Sequence, residues 1–136
     1  MPRKSQANMK TVELIDRINI EEGVDTAAYK GEPEGTLENK IRMWIRAWIS
    51  EYVQPDPESR VSYTVTLGKQ DDPVFPYHCY VQFYCRDGFI QGFETGKDTR
   101  QAVKRSLKSA LRKLNEIRSP HRVLILPRGF EILQAS

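Results

Sequence analysis

Apolar positions along this chain recur with two different periods, and the switches between them set the order of elements. Over residues 37–52 Leu37, Ile41, Trp44, Ile45, Trp48, Ile49 and Tyr52 recur at intervals of three and four. That spacing predicts one apolar stripe on an α-helix. Thr36 suits the N-cap, and Glu38 suits the positive end of the helix dipole. Pro55 and Pro57 in "QPDPES" cannot continue the helix. The period then falls to two. In "RVSYTVTL", Val61, Tyr63, Val65 and Leu67 alternate with Ser62, Thr64 and Thr66. In "HCYVQFYCR", Cys79, Val81, Phe83 and Cys85 alternate with Tyr80, Gln82 and Tyr84. Both read as strands with one oily face, for the helices, and one polar face, open to water or a ligand. "GKQDDPVFPY" is the loop between them. "RDG" is a turn in which Gly88 adopts positive φ, and "FIQGFE" returns as the next strand.

A second helix opens at Asp98, with Gln101 three residues on in a near capping box. Val103, Leu107, Ala110, Leu111, Leu114 and Ile117 share one side. Lys104, Arg105, Lys108 and Arg112 project from the other and span about a quarter turn at ~100° per residue. Near the start of the chain, Val12, Leu14, Ile18 and Ile20 fall on one face of a strand that Asp16 interrupts; a helical pattern also fits. The acidic, glycine-bearing "EEGVDTAAYKGEPEGT" reads as a loop. The expected order is β-α-β-β-β-α, an α+β two-layer sandwich in which two helices pack on one face of a four-stranded sheet. Residues 1–10 form a flexible basic arm, 11–118 a single domain and 119–136 a C-terminal tail. The tail's apolar run, Val123 to Leu126, is expected to add a strand or cover an edge.

Charge changes the picture. The net of +3 over 136 residues is unevenly placed. Residues 1–96 hold 11 Lys and Arg against 15 Asp and Glu, a net of −4; residues 97–136 hold 10 against 3, a net of +7. A basic end of this kind points to a polyanionic partner, though a solvated helix face has the same composition. No run of ~18 apolar residues is present, so no membrane span is expected, and no apolar segment follows the basic start to make a secretory signal. Cys79 and Cys85, six residues apart in one strand, would stand roughly 20 Å from each other. They read as free thiols of a reducing, cytoplasmic compartment.

Catalytic chemistry finds little support. His78 and His121 are the two histidines. In a strand, His78 and Cys79 point to opposite faces, a poor arrangement for a nucleophile and its base. Two Cys and two His without CxxC spacing make a weak zinc site, and no phosphate-binding loop or HExxH occurs. No enzyme activity, cofactor, metal or small-molecule substrate is expected.

The run "YVQFYCRDGFIQGFETGKDTRQAVKRSLKSALRKLNE", preceded by "LENKIRMWIRAWISEYV" and "RVSYTVTLGK", resembles the ribosome hibernation promoting factor family, which includes the ribosome-associated inhibitor A proteins. The likeness covers roughly residues 12–117. It implies a cytoplasmic protein that docks on the small ribosomal subunit, contacts rRNA in the mRNA and tRNA channel, and silences translation under stress. By position, Lys104, Lys108 and Arg112 match the family's second basic helix, and Arg42 and Arg46 its first. Arg100, Arg105 and Lys113 complete the candidate RNA contacts, and Tyr80 and Tyr84 are candidates for stacking on bases. About fifteen residues separate the first strand from the first helix, where the family has a short turn. About eighteen follow the last helix, too few for the dimerisation domain of the family's long forms. Two other readings stay open. One is a double-stranded RNA-binding module, which also ends in hairpins and a basic helix but normally begins with the helix. The other is a non-catalytic protein-interaction domain docking through Trp44 and Trp48.

Overall fold

A computed structural model describes residues 12–26 and 35–119. The expected arm and most of the tail, residues 1–11 and 120–136, lie outside the described residues. The elements are β1 (Glu13–Ile20), α1 (Leu37–Tyr52), β2 (Arg60–Lys69), β3 (Tyr77–Cys85), β4 (Gly88–Gly96) and α2 (Thr99–Arg118). This is the β-α-β-β-β-α order, an α+β fold with both helices packed on one sheet. The sheet runs β1-β2-β3-β4. β1 lies parallel to β2, with Leu14 beside Val61 and Ile18 beside Val65. A parallel pair needs a long crossover connection, and α1 supplies it. β2, β3 and β4 follow as antiparallel neighbours.

Alternation assigns the two faces. Val61, Tyr63, Val65 and Leu67 of β2, and Cys79, Val81, Phe83 and Cys85 of β3, are buried under the helices. Leu37, Ile41, Ile45, Trp48 and Ile49 of α1 meet them, and Trp48 stacks on Phe83 with ring centroids 4.8 Å apart. Thr36 caps α1 as expected, its hydroxyl accepting from the Asn39 N–H at 3.1 Å. Asp98 caps α2 in the same way, accepting from Gln101 N–H at 2.7 Å. The Gln101 side chain reaches back to the Lys97 N–H, one residue before the cap. Gly88 holds φ at +98° in the hairpin turn, a conformation that glycine adopts without strain.

α2 lies unusually close to β4, and the cause is an absence of side chains. Gly92 and Gly96 face the helix; a Cβ on either would stand closer than 3.0 Å to its backbone. The facing helix positions are small in turn: Ala102, Ser106 and Ala110 are fully buried. The buried side of α2 keeps Val103, Leu107, Ala110 and Leu114 as expected and widens to take in Thr99, Ala102 and Ser106. Ile117, expected in the core, is 44% exposed; it lies on the same side but in the last turn of the helix.

Candidate nucleic-acid interface

α2 carries seven cations, Arg100, Lys104, Arg105, Lys108, Arg112, Lys113 and Arg118, against one carboxylate, Glu116. The buried side described above forces them outward, and at ~100° per residue Arg100 to Lys113 fan over more than half of the helix circumference. Lys104, Lys108 and Arg112 are exposed, as are Arg100 and Lys113. Among the described residues, the α2 cations that form ion pairs are Arg105, with Glu94 at 3.3 Å, and Arg118, with Asp87 at 2.7 Å. Arg105 also lies over the Phe75 ring at 5.3 Å. Arg118 uses two nitrogens on one Asp87 oxygen and ties the end of α2 to the hairpin turn. Lys104 and Arg100 each sit 5.9 Å from the Trp44 ring, near the outer limit of a cation–π contact.

The two candidates on α1 are placed differently. Arg42 donates from Nε to Asp16 at 3.0 Å, from Nη1 to Asn39 at 2.8 Å and from Nη2 to Glu38 at 2.8 Å. Arg46 approaches the same Asp16 oxygen at 3.4 Å, and the Tyr63 hydroxyl donates to it at 3.4 Å. Asp16 stands on the helix-facing side of β1, beside Tyr63. The residue that interrupts the apolar pattern of β1 is thus the anchor of α1. Partial burial pushes the Asp16 carboxyl up, but the Arg42 hydrogen bond, the charges of Arg42 and Arg46 and the Tyr63 hydroxyl outweigh it. Its pKa is held below the ordinary carboxylate value. The Glu38 hydrogen bond, then Asp16, raises that of Arg42. Arg42 is therefore engaged with carboxylates and Arg46 is drawn to Asp16 while half exposed, whereas Arg100, Lys104, Lys108, Arg112 and Lys113 of α2 are exposed without carboxylate partners among the described residues.

Between the helices runs a groove of about 440 Å³, floored by Trp48, Tyr52, Leu107 and Leu111 and rimmed by Lys104 and Lys108 with Glu51 opposite. Of the tryptophan stripe, Trp48 is in the core, while Trp44 is half-buried at the groove wall.

On the opposite face of the sheet, Tyr80 and Tyr84 lie where alternation places them. Two aromatic residues that the sequence reading did not assign to a face join them. Phe89 pairs with Tyr84 and Phe93 with Tyr80 across the β3–β4 ladder. Their signal was present in the two-residue turn before Gly88, which fixes the register and puts Phe89 and Phe93 opposite the tyrosines. His78 shares that outer face, whereas Cys79 is buried on the inner one. Burial pushes the Cys79 thiol up to about 11, only partly offset by Ser106, so it is protonated and shielded at neutral pH. Burial likewise raises Cys85.

No protein-family model matches this chain, and no curated protein sequence matches it. Among the described residues, no helix is long and apolar enough to cross a membrane.

Proposed function

We propose that this chain is a non-catalytic, cytoplasmic RNA-binding factor that associates with the small ribosomal subunit through α2 and inhibits translation by occupying the mRNA and tRNA channel. The observation that carries the proposal is the row Lys104, Lys108 and Arg112, exposed and without carboxylate partners among the described residues, on a helix packed closely against β4. Each phosphate that such a cation neutralises releases a counterion, so a fixed row gives strong, salt-sensitive affinity. A-form RNA is recognised by its shape and backbone, which a straight helix with outward cations can follow. The choice of ribosomal RNA rests on the likeness of the β-α-β-β-β-α order and the hairpin-to-helix run to ribosome hibernation factors.

The test is co-sedimentation with purified small subunits at low salt. The wild-type protein should pellet with them, and the triple variant Lys104→Glu, Lys108→Glu, Arg112→Glu should stay in the supernatant with an unchanged far-UV circular dichroism spectrum. Undiminished pelleting of the variant would sink the proposal. Retention of free RNA duplexes with no preference for subunits would favour the duplex-RNA module instead.

A further inference from the structure

The outer face of the sheet exposes a set of aromatic side chains. Tyr84 is 61% exposed, Phe93 52% and Phe89 41%, although monomers rarely display contiguous apolar patches without a use. The rings are ordered as pairs. Tyr84 and Phe89 have centroids 4.7 Å apart. Phe93 lies 6.4 Å from Tyr80 and 6.1 Å from His78. The two clusters stand about 13 Å apart along β4, at ~3.3 Å per residue, with the amides Gln82 and Gln91 between them. The Tyr80 hydroxyl bonds Gln91, and Gln82 donates to Tyr80 at 3.4 Å, so rings and amides are already fixed in place.

We propose that this face is a stacking platform for an unpaired stretch of RNA that continues from the α2 cations around the edge of β4. The inference rests on the reading of α2 as the backbone-binding face and adds the class of RNA that the other face takes. Two observations choose this occupant. The first is chemical complementarity. The outward positions of β2, β3 and β4 carry aromatic, amide, hydroxyl or imidazole groups, with Arg60 at one end, and no carboxylate. Such a surface offers flat partners to unstacked bases and hydrogen bonds to their edges, and it does not repel phosphate. Carboxylates border this face in the loop before β2, where Asp56 and Glu58 pair with Arg60, and beyond β1, where Glu21 approaches His78 at 3.7 Å. The second is continuity. A hollow of about 210 Å³ at the β4 edge is lined by Tyr80, Gln91 and Phe93 from the sheet and by Ser109 and Lys113 from α2. A phosphate held by Lys113 there leaves its base within reach of Phe93.

The experiment measures fluorescence anisotropy of a labelled oligouridylate and of a labelled RNA duplex, each titrated with the same protein at one low salt concentration. The double variant Tyr84→Leu, Phe93→Leu keeps apolar bulk but removes two rings. It should lose roughly ten-fold or more of its oligouridylate affinity and change duplex affinity less than about two-fold, while Tyr84→Phe should bind both as wild type does. An equal loss on both probes, or none on either, overturns the platform. A second measurement is independent of how the variant folds. Photocrosslinks from a thiouridine-bearing strand to the wild-type protein should map to β3 and β4, and crosslinks confined to α2 overturn the platform. A wild-type dimer in sedimentation velocity that the leucine variant dissociates overturns it too, and makes the face a contact between copies. Failure of the α2 reading is separately visible: the triple Glu variant would then keep duplex affinity, whatever the crosslinks report for the sheet.

Discussion

The two helices are alike in outline and opposite in electrostatics. Each is amphipathic, is capped by a Thr or Asp side chain and packs on the same side of one sheet. α1 faces a strand that presents a carboxylate; Arg42 turns inward to Asp16, and Arg46, half exposed, approaches the same oxygen. α2 faces a strand that presents Ile90, Gly92 and Gly96, with Glu94 near its end, and only Arg105 finds a partner there. What decides whether a helical cation is available to a ligand is therefore the strand beneath it. The helix sequence sets how many cations there are, and the opposing strand sets how many remain outside.

The sharpest way to break this comparison is to change charge on each helix in turn. Reversing Lys104, Lys108 and Arg112 to Glu should weaken RNA binding by about a thousand-fold or more at low salt. It should flatten the slope of log affinity against log salt by roughly two to three units. Urea unfolding should scarcely move. Converting Arg42 and Arg46 to Gln should do the converse: RNA affinity within a few-fold of wild type, and a stability loss of about 1–2 kcal/mol from the orphaned Asp16. A salt-series titration paired with urea curves reads both quantities. If the α1 variant loses RNA and keeps its stability, the assignment of the two helices is reversed.

The seating of α2 gives a smaller effect. Gly92→Ala places a Cβ closer than 3.0 Å to the Ser106 carbonyl and the Ala110 nitrogen, both backbone atoms of the helix. Neither can swing aside as a side chain would. A loss of about 1–3 kcal/mol is expected, despite the better strand propensity of alanine over glycine. Chemical denaturation measures it. A variant as stable as wild type would mean that α2 does not lie against β4 as closely as described, and that its cations are less rigidly displayed.

Much of this was legible from spacing. The stripe Leu37 to Tyr52, the alternation of Val61 to Leu67 and Cys79 to Cys85, and the caps Thr36 and Asp98 act within a few residues of themselves, so local pattern sufficed. Three features depended on partners distant in sequence and were not legible in this way. Asp16 looked like a flaw in a strand because its partners lie 26 and 30 residues away. Arg42 looked like a free cation for the same reason. Gly92 carried no local signal, since its role exists only once α2 folds back over β4. For the candidate site, the α2 row was visible as a charge excess, whereas Phe89 and Phe93 needed the hairpin register to be assigned a face.

The finest test of the comparison uses pH. Because the folded-state pKa of Asp16 is depressed by Arg42, Arg46 and Tyr63, its ionic contribution is fully present above the unfolded carboxylate value, about 3.9. That contribution is lost as pH falls through the lower, folded value. Asp16→Asn removes the charge at every pH. At pH 7 the variant should be less stable than wild type by about 1 kcal/mol. The gap should hold down to about pH 5 and then narrow on further acidification, as the wild-type carboxyl takes up its proton and the two proteins become alike. Asp72, also depressed, by the backbone N–H groups of Phe75 and Val74, titrates in both proteins and cancels in the difference. Urea midpoints of the pair across this range suffice. A gap that stays constant into strong acid would mean that Asp16 acts by packing and neutral hydrogen bonds alone. The arginines of α1 would then be held without charge pairing, and the contrast with α2 would lose its electrostatic basis.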